Sequence, residues 1–200
     1  LPELDTEKQS FYQDKKKIHE LLSITNNYFH KQLIKNTELL TYLKNRMVNM
    51  SSVKSFGLGY APTKDKQLLN TLKKSYTNQE ISDSGLEQKK GGNLLFYNRL
   101  TFPIHNEIGE IIAFGARSLS DQQPKYINSP QTRFYHKKKH LYGLYQALKS
   151  TRQLKSLFVV EGYMDVILLS QHGITNVVAT LGTAVTESHL KKLIYYTNTL

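Results

Sequence analysis

The 200-residue chain contains no cysteine, which excludes a disulfide framework and any thiolate metal site. It also lacks an H-E-x-x-H segment, so a bound zinc is not expected within these residues. Acidic residues are the scarcer charge: 16 Asp and Glu stand against 27 Lys and Arg, and the formal +11 favours polyanionic partners. Charge alone leaves two readings open, a nucleic-acid partner or lysine-rich faces that are simply solvated. No apolar run reaches the eighteen or so residues of a membrane helix, and the opening LPELDTEKQS lacks the basic-then-apolar layout of a secretory signal. The expectation is a cytoplasmic protein with no membrane partner. What is present, 39% hydrophobic residues, suffices for a sizeable core.

Glycine and proline are also missing from Thr6 to Val48, where apolar residues recur at three- and four-residue steps. That run is too long for one typical helix, so two or three are expected, broken at TNN or KNTE with Asn36 or Thr37 as an N-cap. FGLGYAP (56–62) reads as a turn or short edge strand, and residues from Lys64 to about Ser75 as an amphipathic helix followed by a polar loop ending in QKKGGN. RLTFPIHNEIGEIIAFGARSL then changes period and reads as an antiparallel pair around NEIG, followed by a long, irregular, basic and aromatic loop. After Leu144 helices and apolar strands alternate, with strands at Leu157–Val160 and Thr175–Thr180, the grammar of a parallel α/β layer. The fold class is therefore α/β: an α+β subdomain over 1–150, then a parallel-sheet segment over 151–200.

LFVVEGYMDVILLSQHG (157–173) places two carboxylates inside an apolar run. In an open α/β sheet the carboxyl ends of the strands form the ligand crevice, so Glu161 is expected at its floor, with Asp165 in the first turn of the next helix. Two accounts stay open on these residues alone. Both acids serve one site, or Asp165 merely complements the helix dipole while Glu161 pairs with a surface lysine. LGT (181–183), between a strand and a helix starting near Thr186, is either a phosphate-receiving turn or a plain connection.

FGLGYAP, NRLTFPIHNEIGEIIAFGAR, PKYINSP, YHKKKHLYGLYQA, VVEGYMDV and LGTAVTESH stand in one order along most of the chain. Together they resemble the RNA polymerase core of bacterial DnaG-type primases, with a TOPRIM domain opening at Glu161. The resemblance implies synthesis of short RNA primers on single-stranded DNA from ribonucleoside triphosphates, beside a replicative helicase. It implies Glu161 as a ligand of Mg²⁺ or Mn²⁺ or as a general base, with Asp165 in the same catalytic set. Hard cations prefer such oxygen ligands. Glu161 would act with a D-x-D pair on a later strand beyond Leu200, so these residues alone are expected to make no primer. The family's zinc-binding N-terminal module and its helicase-binding domain likewise lie outside these 200 residues.

The same resemblance carries Arg99, Arg117, Lys125, Tyr126, Asn128 and Lys137 onto positions that line a single-strand groove. Cations there release counterions from phosphates, an Asn amide bonds phosphate or a base edge, and a Tyr face stacks on a base. Each has a plainer alternative: Tyr126 and Tyr142 as core aromatics, Arg117 in a local salt bridge, Arg99 as a structural residue beside a strand start, and Lys137–Lys139 as solvated loop. Two other functions stay in view. One is a noncatalytic single-strand-binding module; the other is a different TOPRIM enzyme, a topoisomerase or nuclease, although PKYINSP and YHKKKHLYGL are foreign to topoisomerases.

Overall fold

The computed structural model describes residues 3–63, 66–88, 93–120, 123–151, 154–182 and 184–197. Lys64, residues 89–92 of the polar loop, residues 121–122, Arg152 and Thr183 lie outside them. Helix α1 runs unbroken over Glu3–Ile34, straight through the TNN expected to interrupt it. Thr25 and Asn26 are buried there, and Thr25 Oγ1 donates to Leu21 O at 3.0 Å, one turn back, which satisfies the buried hydroxyl within the helix. Tertiary burial of Ile18, Leu21, Leu22, Phe29 and Leu33 holds the long helix in place. The break falls at Asn36, whose extended backbone and side-chain oxygen cap α2 (Thr37–Asn45) by accepting the Leu39 N–H at 3.1 Å. Helix α3 (Met50–Ser55) follows.

Four antiparallel strands form one sheet in the order β1 (Gly59–Ala61), β2 (Arg99–His105), β3 (Ile111–Ser118), β4 (Tyr126–Asn128). The hairpin around NEIG is as expected. Strand β4 is not, because it lies within the loop read as irregular. Between β1 and β2 lie α4 (Lys66–Ser75), on the buried Leu68, Leu69 and Leu72, and α5 (Asn78–Asp83). The second of these was hidden in the polar loop, although Thr77 and Glu80 form a capping box that T-N-Q-E spells out.

Register decides what each face of the sheet carries. Tyr60, Leu100, Arg117 and Tyr126 form one cross-strand row, and Phe102, Gly115 and Asn128 the next row on the same face. The opposite face meets α1 so closely at Gly59 that a methyl group there would lie 2.6 Å from Phe29 Cβ. Phe29 packs edge-on against Phe114. The Arg117 face is covered instead by α2, α3 and the second layer, in a cluster that joins Leu43, Phe56 and Phe102 to Tyr163, Val166 and Ile167.

That second layer holds β5 (Phe158–Val160) and β6 (Val177–Ala179), paired in parallel and linked by α7 (Tyr163–Gln171). Helix α8 (Glu187–Tyr196) follows β6. The apolar run over β5 is expected to be buried, as strands of a parallel layer are, but Phe158 and Val159 are exposed. Helix α6 (Leu144–Ser150) packs with Leu157, Val178 and Leu193, and Tyr142 exchanges two 2.9 Å backbone bonds with Ala179. The two layers thus share a core. No helix of the described residues is long and apolar enough to cross a membrane.

Two histidines are held neutral by this packing. Burial lowers His105 to about 4, and burial together with Lys192 lowers His140 to about 4. An unfolded histidine titrates near 6.5, so below that pH the unfolded chain takes up protons that the fold refuses. Stability is fully present above pH 6.5 and falls as pH drops toward 4, by on the order of 3 kcal/mol per residue. Urea midpoints at pH 7, 5.5 and 4.5 should decline steeply, and less steeply for His140→Gln; equal slopes for both proteins would contradict this.

Candidate functional site

The cationic part of the site is a stack. Arg117 Cζ lies 5.6 Å from the Tyr42 ring centre and 5.8 Å from that of Tyr126, and Arg46 Cζ lies 5.4 Å from the centre of the same Tyr42 ring. Arg117 is only 5% exposed, yet its Nε and Nη1 find no hydrogen-bond partner among the described residues. A buried guanidinium held by ring faces alone keeps its donors for something else. Burial raises the Tyr126 phenol above its ordinary range, opposed by Arg117 and Arg46 and assisted by Tyr42 and Asp165. Those charges therefore share one neighbourhood. Tyr126 itself is 40% exposed, which leaves ring surface for a stacking partner.

Tyr42 and Arg46 were missed in the sequence. Their signal was the i, i+4 spacing that puts both on one side of α2. The turn after Arg46 is fixed from the second layer: Gln171 Nε2 donates to Met47 O at 2.8 Å, while its Oε1 accepts from Asn49 N and Ser52 Oγ.

Not every residue carried over from the family joins this stack. Arg99 belongs to the opposite face of the sheet and is 2% exposed; its Nη1 donates to Pro124 O at 3.0 Å and Lys125 O at 3.4 Å. It holds the backbone of Lys125 from behind, while the Lys125 side chain is exposed. The Asn128 amide is engaged as well. Its Nδ2 donates to Leu181 O at 2.8 Å, and its Oδ1 accepts from the Tyr163 hydroxyl. Asn128 thereby bridges β4 to the end of β6. Lys137 is partly buried in a short 3₁₀ turn, Lys137–Lys139, whose backbone is held against α8.

Tyr163 joins the EGY segment to FGAR. Its ring stacks on Phe102 at 4.9 Å and 11°, meets Tyr142 edge-on at 4.7 Å and covers Gly115. From that anchor α7 leads back to Glu161 and Asp165, both exposed and in no ion pair among the described residues. The pairing of Glu161 with a surface lysine is thus not seen. Glu161 lines an open cleft of about 610 Å³ with Val160, Thr180, Gly182 and Val185, at the carboxyl ends of β5 and β6. Glu161 brings to this cleft a hard oxygen donor of the type that Mg²⁺ or Mn²⁺ takes, whereas Asp165 is not among the lining residues and acts on Tyr126. No group of three His, Asp or Glu suited to a metal occurs among the described residues, His136 and His140 included despite their four-residue spacing.

Residues 28–148 match the model of the DNA primase catalytic core, N-terminal domain, and residues 155–199 that of the Toprim domain. The DNA primase of Pseudomonas putida is 48% identical over 76% of the chain and 24% of its own length. That of Rickettsia bellii is 39% identical over 96% of the chain and 32% of its own length. The chain therefore spans about a quarter to a third of the curated relatives it matches. Among solved structures, a DnaG primase catalytic domain bound to ssDNA superposes with a TM-score of 0.86 at 34% identity, covering 94% of this chain and 63% of that one. A DNA primase domain from Pseudomonas aeruginosa gives 0.81 at 42% identity, covering 90% and 59%.

Proposed function

The chain belongs to the bacterial DnaG-type DNA primase catalytic-core family, and we propose that it holds a single-stranded DNA template beside the first carboxylates of a primer-synthesising site. The observation that carries this reading is the buried Arg117 guanidinium, stacked between Tyr42 and Tyr126 with donors unspent, in the neighbourhood of Asp165. Arg117, Arg46 and Lys125 neutralise template phosphates, and the exposed ring of Tyr126 stacks on a base. Arg99 and Asn128 act one step back, by fixing Lys125 and joining β4 to the acid-bearing layer. Lys137 contributes a further phosphate contact from its own turn.

Glu161 and Asp165 supply carboxylate oxygens for Mg²⁺ or Mn²⁺ and fit that donor preference, although two acids alone hold such an ion weakly. When bound, the metal supplies charge stabilisation for nucleotidyl transfer from ribonucleoside triphosphates. Glu161 is placed at the cleft either to ligate it or to take the proton of the attacking hydroxyl. The setting is the cytoplasm, at a replication fork, with a replicative helicase as neighbour through regions outside these residues.

The direct test is a chimera in which this chain replaces the matching segment of the Pseudomonas putida primase. Primer synthesis by the chimera on single-stranded DNA supports the reading. A chimera that binds strand with native affinity and makes no primer supports a noncatalytic binding module instead.

A further inference from the structure

Helix α8 begins with a capping box of unusual make-up. Thr186 Oγ1 accepts the His189 N–H at 3.2 Å, and His189 Nδ1 accepts the Thr186 N–H at 3.3 Å. Glu or Gln is the ordinary residue at the fourth position of such a box. A carboxylate there closes the box and has no proton left to give. An imidazole has a second nitrogen, and here it is used: His189 Nε2 lies 3.2 Å from Lys137 O. Because Nδ1 accepts and a carbonyl cannot donate, Nε2 must carry the proton. Thr186 also works twice, since its hydroxyl donates to Lys138 O at 3.2 Å. His189 is completely buried, so water does not compete for either bond.

The box thus grips two successive carbonyls of the Lys137–Lys139 turn. On its other side the segment before α8, through Ala184 and Val185, forms a wall of the cleft that contains Glu161. We propose that His189 is a positioning residue, which sets the Lys137 side chain for strand binding and keeps that contact in register with the acid-lined cleft. The proposal rests on the reading of Lys137 as a template contact.

Asparagine and glutamine separate its two bonds. In His189→Asn the amide oxygen stands near the place of Nδ1 and keeps the box, but nothing reaches Lys137 O. In His189→Gln the longer amide extends an N–H toward that carbonyl. Binding of a labelled single-stranded oligonucleotide by the 200-residue chain should weaken about two- to tenfold in His189→Asn, the value of one hydrogen bond, and recover in His189→Gln. In a Lys137→Ala background His189→Asn should add no further loss, which a merely structural role would not produce. Should His189→Asn fail to fold, His189→Glu, whose carboxylate closes the box and has no proton for Lys137 O, carries the same expectation. An equal loss in both backgrounds, or native affinity in His189→Asn when Lys137→Ala is impaired, overturns the proposal. Native affinity in Lys137→Ala instead removes the premise, and the proposal with it.

Discussion

Gly115→Ala is expected to unfold the chain at a markedly lower temperature and to disable the site in the fraction that folds. A methyl group on residue 115 would lie 2.7 Å from Tyr163 Cε2 and closer still to Cζ and the hydroxyl. A flexible side chain would swing aside. Tyr163 has no such freedom, because Phe102 covers one face, Tyr142 abuts it and its hydroxyl is tied to Asn128. Overpacking of this kind costs about 1–3 kcal/mol, and at 2–4 °C per kcal/mol the melting temperature falls by roughly 2–12 °C. Tyr163 is also the first residue of the helix that carries Asp165 and the neighbour of Glu161's turn. A shift of about 1 Å there costs on the order of 100-fold in synthesis by the chimera, beyond what lost stability explains. A calorimetric scan and a primer assay on the same sample check both halves; an unchanged melting temperature would mean that the Tyr163 anchor is not rigid.

Glu161→Gln is expected to cut primer synthesis by the chimera about 100-fold or more, the lower range of what a general base or its equivalent contributes. The side chain is exposed at the cleft, so the exchange removes charge and proton affinity without disturbing a core. Strand affinity should stay within about twofold of the parent, because the cationic stack does not include Glu161. Measuring both quantities distinguishes the two ways of failing. Retained synthesis would remove Glu161 from the chemistry, whereas a parallel loss of binding would make it a structural residue.

Much of this arrangement was legible from residue spacing, and the exceptions have physical causes. β-Rich runs around NEIG marked β2 and β3, apolar steps marked α4, and the strand-then-glycine pattern put Glu161 at a carboxyl end. The TNN segment misled because burial of Thr25 and Asn26 outweighs the preference of such residues for helix ends, and the Thr25 hydroxyl is satisfied within the helix by Leu21 O. Strand β4 could not be read from three residues in a proline-flanked loop, since register with β3 is what makes them a strand. Arg99 and Arg117 look alike in sequence, yet register sets Arg117 opposite Leu100, the next residue after Arg99, so the two lie on opposite faces. Only pairing of the strands shows which one meets Tyr42 and Tyr126. His189 gave a faint signal, T-x-x-H before an apolar helix, but its value depends on a turn about fifty residues earlier.

The proposed template groove is tested by the anisotropy of a labelled single-stranded oligonucleotide at several salt concentrations, for the parent chain and Arg117→Ala/Lys125→Ala. If both residues meet phosphates, binding weakens with salt and the log–log slope of the double variant is shallower by about 1.4, at roughly 0.7 per contact on single strands. If the slope and the affinity are unchanged, the positive charge is a general surface property and the stacked arginine has another purpose.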